Sequence, residues 1–170
     1  ELSSYSGLIC QIYKVLKHDR QIVTEKARAG WLEALPIPLT DGEWTQACAQ
    51  VKEVASNVRF KLTQFYYLPR TYLMPQHLSR IFQNPSVVCT RCALLWRPFL
   101  HMTWECSALS PFWETIVEEL WATTKLLFEM SIKHCLLGLI PPPKKGKKMV
   151  NRFAQLGLVL GKRRIAIHGL

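Results

Sequence analysis

The 170-residue sequence lacks the segments that would direct it into a membrane or out of the cell. No apolar stretch approaches the roughly 20 residues that a membrane-spanning helix needs, and the N-terminus has no basic segment leading into an apolar core. We therefore expect an intracellular protein, nuclear or cytoplasmic or both, with no membrane partner. In such a reducing compartment the six cysteines are expected to be thiols or metal ligands rather than disulfides.

Catalytic motifs are missing as well. No Ser-His-Asp grouping, glycine-rich phosphate-binding loop or paired-carboxylate site stands out in the sequence. His134 and Cys135 are a base and a nucleophile by type, but adjacent residues rarely face each other, so we assign them structural roles. We expect that this chain is not an enzyme by itself.

Helical periodicity dominates the local patterns, whereas no segment shows the period of two that a half-buried strand requires. Five sets of apolar residues recur at intervals of three and four, and each set predicts the buried face of one helix. The sets are Tyr5, Leu8, Ile9, Ile12, Tyr13 and Leu16; Trp44, Cys48, Val51 and Ala55; Val58, Leu62, Phe65 and Tyr66; Phe112 or Trp113, Ile116, Val117, Leu120, Trp121 and Thr124; and Met149, Phe153, Leu156 and Leu160.

Some boundaries between these helices are marked by particular residues. Thr40 and Glu43 have the spacing of a capping box, and Ser110 precedes Pro111 as a cap would. The segment "GLIPPPKKGKK" at 138–148 combines proline, glycine and charge, so we expect it to be a linker that packs against nothing.

Three cysteines and one histidine are the most informative residues. They follow the pattern Cys-x2-Cys-x8-His-x4-Cys, as Cys89, Cys92, His101 and Cys106. The Cys-x2-Cys pair supplies two thiolates from one tight turn, and the later pair completes the tetrahedral ligand set that Zn²⁺ favours. A disulfide framework would need an oxidising compartment, and chance would need four ligand-type residues to coincide. We predict a structural Zn²⁺ site, because four protein ligands leave no open position for catalysis.

These patterns together predict the fold class. We expect a mainly α-helical protein with an irregular zinc-binding loop and a basic C-terminal helix. We divide the chain into a helical connector at 1–84, a zinc-binding module with its following helix at 85–140, and a basic linker with the C-terminal helix at 141–170.

Positive charge is concentrated at the C-terminal end. The net charge is +10, and residues 141–170 contain eight Lys and Arg but no acid. A basic end suits a polyanionic partner, although a solubilising tail or a nuclear import signal such as "KKGKK" explains the charge equally well. The candidate nucleic-acid contacts in this arm are Lys144, Lys145, Lys147, Lys148, Arg152, Lys162, Arg163 and Arg164. Arg91, Trp96 and Arg97 are candidates in the zinc-binding loop, where Trp96 suits base stacking and metal shielding equally.

The zinc-binding loop ends in "HMTWEC" at 101–106, and "PFW" follows at 111–113. Together with the ligand spacing, these motifs resemble the C-terminal region of non-LTR retrotransposon (long interspersed element) reverse transcriptases. That region carries Cys-x(1–3)-Cys-x(7–8)-His-x4-Cys, a His-x-x-Trp-x-Cys motif and a following Phe-Trp pair. Weaker similarity in "GWLEAL", "DGEWTQA", "KLTQFYYLPRTYL" and "FAQLGLVLGKRRIAIHGL" extends over nearly the whole chain. The family's closing Trp is missing, with Gly169 near its place, and no Tyr/Phe-x-Asp-Asp polymerase motif is present.

The resemblance implies an accessory role. The family's parent polyprotein nicks DNA and primes cDNA synthesis from the nick, while its C-terminal region binds element RNA, target DNA or both and braces the polymerase. The partners implied are RNA and/or DNA and the polymerase domain of the same polyprotein. Two alternatives stay open: a structural docking module for the polymerase domain, and a decayed fragment without function, as the missing Trp and the start at Glu1 suggest.

Overall fold

The computed structural model describes residues 24–71, 89, 91–93, 99–141 and 148–168. Within these ranges the protein is mainly helical and has no β-strand, which confirms the prediction of a mainly α-helical protein. No helix among these residues is both long and apolar enough to cross a membrane. The helix predicted at 5–16 lies outside the described residues. The chain forms two units, 1–40 and 41–170, and the predicted three-part division stays a prediction.

The first unit contributes one described helix, α1, at residues 24–34. The segment "LPIPL" follows it, and its two prolines cannot continue a helix because they lack the amide hydrogen. Trp31 of α1 is fully buried, and Leu35 and Leu39 are buried as well.

The second unit begins with the helices α2 (Asp41–Glu53) and α3 (Val58–Tyr67). Asn57 caps α3, because its side-chain oxygen accepts a hydrogen bond of 2.9 Å from the amide of Arg59. A π-helical turn (His101–Glu105), a 3₁₀ turn (Ser107–Leu109), α4 (Ser110–Thr124), the short α5 (Ile132–Cys135) and the long α6 (Lys148–His168) complete its described elements.

Helix α4 begins where the sequence predicts, with Pro111 in its first turn. The predicted capping role of Ser110 is wrong, because Leu109 occupies the cap position and no side chain caps the helix. Trp113, Leu120 and Thr124 are buried as predicted, whereas Trp121 is half exposed.

Two glycines let α6 lie close against α4. A Cβ atom added at Gly157 would lie 2.6 Å from a methyl group of Leu120, and one added at Gly161 would lie 2.6 Å from Ile116. Residues four apart lie on the same face of a helix, so both glycines face α4. The glycines of the apolar "LGLVLG" segment therefore lie at the contact between α6 and α4.

The buried faces of α3 and α6 are not those that the apolar periodicity predicts. In α3 the predicted set, Val58, Leu62, Phe65 and Tyr66, is exposed, while Thr63, Gln64 and Tyr67 are buried. In α6 the predicted Met149, Phe153 and Leu160 are exposed, while Asn151, Ala154, Leu158, Val159, Lys162 and Ile165 are buried. The interface between these helices therefore contains polar side chains.

The physical reason is a cluster of hydrogen bonds around residues 136–140, which we call the carbonyl cluster. Gln46 and Gln50 of α2 donate to the carbonyls of Ile140 and Gly138 at 3.1 and 2.7 Å. Gln64 of α3 donates to the carbonyl of Leu137 at 3.4 Å, and Lys162 of α6 donates to that of Leu136 at 3.0 Å. Buried carbonyls need such hydrogen-bond partners. The helices therefore turn the faces that carry these polar side chains toward the core.

The carbonyl cluster includes part of the segment 138–148, which was predicted to be a linker that packs against nothing. Gly138, Leu139 and Ile140 belong to the predicted linker, yet Leu139 and Ile140 are buried. Gly138 adopts a left-handed backbone conformation with a φ of 74°, which glycine adopts at little cost. The start of "GLIPPPKKGKK" is therefore part of the core. Residues 142–147 of this segment lie outside the described ranges.

Candidate metal centre

Cys89, Cys92, His101 and Cys106 lie together, each offering one ligand atom, and these atoms lie within 4.8 Å of one another. The Sγ atoms of Cys89 and Cys106 are 3.8 Å apart, and Cys92 Sγ lies 3.4 Å from His101 Nε2. Tetrahedral Zn²⁺ with the usual bond lengths would separate two sulfurs by roughly 3.8 Å and a sulfur from a nitrogen by roughly 3.6 Å. The cluster therefore has dimensions that suit a single metal ion.

Two local structures bring the ligands together. Cys89 and Cys92 come from one turn, which is closed by a 2.8 Å hydrogen bond from the amide of Ala93 to the carbonyl of Cys89. Ala93 has a left-handed φ of 55°, a conformation that favours glycine. His101 and Cys106 stand at the two ends of the π-helical turn, where the amide of Cys106 donates to the carbonyl of His101 at 3.1 Å. A π turn closes over five residues, which matches the His-x4-Cys spacing.

The π-helical turn is anchored on α4. The indole nitrogen of Trp113 donates to the carbonyl of Thr103 at 3.0 Å, and the ring of Trp104 lies 6.0 Å from that of Trp113. Trp113 is 1% exposed. Trp113, the second residue of the Phe-Trp pair, therefore holds the candidate metal centre against α4.

Arg91 links the two halves of the site. Its guanidinium donates a 2.7 Å hydrogen bond to the carbonyl of Met102 and also contacts the Met102 sulfur. The side chain is half-buried, and its Nε and Nη1 atoms are buried. The sequence predicts a nucleic-acid contact here, but the geometry gives Arg91 a bracing position inside the site.

The cysteines of the cluster differ in the pKa of their thiols. Burial raises the pKa of the Cys89 thiol, but hydrogen bonds from the amides of Cys92 and Arg91 and from the side chains of His101 and Cys92 outweigh it and lower the pKa to about 6. Burial and the neighbouring cysteines raise the pKa of Cys106. Metals bind thiolates, so one ligand is already in the reactive form near neutral pH. None of the cysteines that the structure describes forms a disulfide.

The predicted nucleic-acid contacts separate into three groups. Lys148, Arg152 and Arg164 are exposed on α6, and Arg163 is half-buried. Lys162 is fully buried, so its assignment as a nucleic-acid contact is wrong. The remaining candidates lie outside the described residues; they are Trp96, Arg97, Lys144, Lys145 and Lys147.

The buried Lys162 is a feature that the sequence analysis missed. Its ammonium group donates to Gln64 and to the Leu136 carbonyl, and it lies 5.9 Å from the centre of the Tyr67 ring. Burial lowers its pKa to about 7, while the nearby Cys135 acts in the opposite direction. The spacing from Leu158 to Lys162 to Ile165 is helical, and this pattern could have indicated that Lys162 faces inward.

Comparisons with known proteins add no assignment. No family model matches the sequence, and no solved structure matches the chain. The retrotransposon resemblance therefore stays a prediction from the motifs.

Proposed function

We propose that the four clustered residues bind one structural Zn²⁺ and that the chain is an accessory, nucleic-acid-binding domain of a retrotransposon-type reverse transcriptase. The observation that carries the proposal is the approach of the four ligand atoms to within 4.8 Å of one another. The cluster lies in the same unit as the helix with the exposed cations of the basic arm.

Zinc is the metal that suits these ligands. Three sulfurs and one imidazole in a tetrahedral arrangement are typical of structural zinc sites, while hard cations prefer oxygen. Three thiolates and a neutral imidazole would leave a Zn²⁺ complex with a net charge of about −1. The guanidinium of Arg91, held against Met102, would partly offset this charge. The metal would close the irregular loop and would not take part in chemistry.

The basic arm supports a polyanionic partner. Lys148, Arg152 and Arg164 of α6 are exposed, and Lys144, Lys145 and Lys147 precede them in the sequence. No acid occurs between 141 and 170, so no carboxylate of this segment competes for these cations. Contacts with four phosphates would give a slope of roughly −3 to −4 for the logarithm of affinity against that of salt concentration.

A structural docking module is the second candidate, and the exposed apolar residues of two helices favour it. Val58 is 65% exposed on α3, and Met149 is 74% exposed on α6. A contiguous exposed patch formed by such side chains would suit a protein interface. In this alternative, Zn²⁺ would only join the helices, and the arm would contribute nothing to RNA or DNA binding.

Charge substitutions distinguish the two functions better than truncation, because α6 packs in the core. The test is the affinity for single-stranded RNA and DNA over a series of salt concentrations, with Lys148, Arg152 and Arg164 all changed to Gln. The proposed function predicts weaker binding and a slope that is shallower by roughly 2 to 3. The matched control changes Lys52, Arg59 and Lys125 to Gln. These three residues are also exposed, and their substitution lowers the net charge of the chain by the same amount. Equal binding by the two variants would support the docking module instead.

A further inference from the structure

A pocket of about 320 Å³ lies between α6 and the segment that joins α2 to α3. Met149, Arg152 and Phe153 line it from α6, and Phe60 lines it from α3. Phe153 is 52% exposed and Met149 is 74% exposed, although both are large apolar residues. The pocket therefore offers solvent an apolar surface that contains two aromatic rings.

The size of this pocket suits one ring or one side chain of a partner. Pockets that enclose small molecules measure roughly 300–1,000 Å³, and this pocket lies at the lower end of that range. A bound amphipathic helix needs instead a long groove that takes side chains from several of its turns. The occupant is therefore a single group that a larger partner inserts.

Positive charge surrounds the pocket on the α6 side. Arg152 is the only charged residue among the described residues that line it. Lys148 lies one turn before Arg152 on the same helix, and both side chains are exposed. Glu53 ends α2 just before the lining segment but does not line the pocket. These charges favour an inserted group that belongs to a polyanion.

The aromatic ring beside the cation distinguishes a nucleic acid from an acidic peptide. Proteins that bind single strands combine cations along the backbone with aromatic rings on which unpaired bases stack. Phe153 directly follows Arg152, so a ring and a guanidinium leave the same turn of α6. Asn57 also lines the pocket, and its Oδ1 accepts the amide of Arg59, so its amide nitrogen is the atom that can donate to a base edge.

We propose that this pocket binds one unpaired base of a single-stranded nucleic acid, which stacks on Phe153 while Arg152 and Lys148 contact the adjacent phosphates. The inference rests on the proposed nucleic-acid-binding function and assigns base stacking to α6, whereas the sequence analysis places it at Trp96. The bases of a duplex are already paired and stacked, so they cannot enter the pocket. The chain should therefore bind single strands more tightly than a duplex of the same sequence.

The test is the affinity of the 170-residue chain for RNA and DNA oligonucleotides of about 16 nucleotides, single-stranded and as duplexes. Phe153→Leu should weaken binding of the single strands roughly tenfold and leave duplex binding unchanged, because it keeps an apolar side chain but removes the ring. Phe153→Tyr keeps the ring and should bind as the parent does. Phe65→Leu is the matched control, since Phe65 is 53% exposed on α3 and does not line the pocket.

The salt dependence separates this inference from the proposed function. Phe153→Leu removes no charge, so the slope of affinity against salt should stay that of the parent. Arg152→Gln should make the slope shallower by about 1 for single strands and duplexes alike. A parent chain that binds neither form would overturn both proposals. If the parent binds, equal affinities of Phe153→Leu and Phe65→Leu for single strands would overturn the base pocket alone. Circular dichroism checks that each variant keeps its helical content.

Discussion

The candidate metal centre and the carbonyl cluster both bury polar atoms, and they differ in what satisfies those atoms. The metal centre gathers three sulfurs and an imidazole from eighteen residues of chain, and we propose that a metal ion from outside the protein binds them. The carbonyl cluster gathers side chains that are 26 to 98 residues away from their partners, and it supplies its own cation, Lys162. The stability of the metal centre should therefore depend on bound metal, and the stability of the carbonyl cluster should depend on the protonation of Lys162.

Metal removal should have the largest effect and should be confined to one region. Structural zinc contributes about 10–16 kcal/mol in zinc-finger peptides at neutral pH, so a chelator should lower the unfolding free energy of this chain by several kcal/mol. Amide exchange should speed up in residues 99–109, which depend on the site. The amides of α3 should stay protected if the carbonyl cluster folds independently of the metal. Uniform loss of protection would show that the two regions are one cooperative unit.

Lys162 should make the stability of the carbonyl cluster depend on pH above neutrality. Its pKa is about 7 in the folded protein against 10.5 when unfolded. Between these values the unfolded state binds more protons, so folding stability should rise with pH, by about 3 kcal/mol from pH 7 to pH 10. The penalty is complete about one unit below pH 7 and is constant at lower pH.

Lys162→Met isolates this contribution, because it keeps the volume of the side chain and removes the titrating group. The difference in unfolding free energy between parent and variant, measured at each pH, cancels the other titrating groups. It should shift in favour of the parent as the pH rises, while the metal content stays unchanged. A difference that is independent of pH would mean that Lys162 remains charged in the folded protein.

Substitution of Gln50 or Gln46 in the carbonyl cluster should change the unfolding free energy least. The two residues form a matched pair that differs in burial. Gln50 is 5% exposed and donates a 2.7 Å hydrogen bond to the Gly138 carbonyl, so Gln50→Leu should cost about 1 kcal/mol. Gln46 makes the corresponding bond to Ile140 but is exposed, so Gln46→Leu should change stability by less than about 0.5 kcal/mol. Denaturant titration measures both. Equal costs would show that burial does not set the value of these hydrogen bonds.

The two regions also differ in how far the sequence predicts them. The ligand set of the metal centre follows from local spacing, since Cys-x2-Cys and His-x4-Cys each form one turn. The start of helix α4 was predictable for the same reason, because Pro111 lies in its first turn. What the spacing could not show is the bracing position of Arg91, which depends on the fold of a second turn.

The inward faces of α3 and α6 could not be predicted from apolar periodicity. Both helices carry an apolar stripe, but the buried carbonyls of residues 136–140 require donors, and only the opposite faces supply Gln64 and Lys162. The need of buried carbonyls in a distant segment for hydrogen-bond donors thus outweighs the local apolar periodicity. The apolar residues left outside, such as Phe65 and Phe153, are 53% and 52% exposed.

Metal analysis of the purified chain and of two single variants shows whether the four clustered residues bind zinc. We predict one Zn²⁺ per chain in the parent, and none in Cys89→Ser or Cys106→Ser, which remove the two most buried ligands. Cys48→Ser is the control, because Cys48 lies on α2 outside the cluster and should keep the full metal content. Zinc retained by both ligand variants, or a parent chain that binds no zinc, would refute the proposed ligand set.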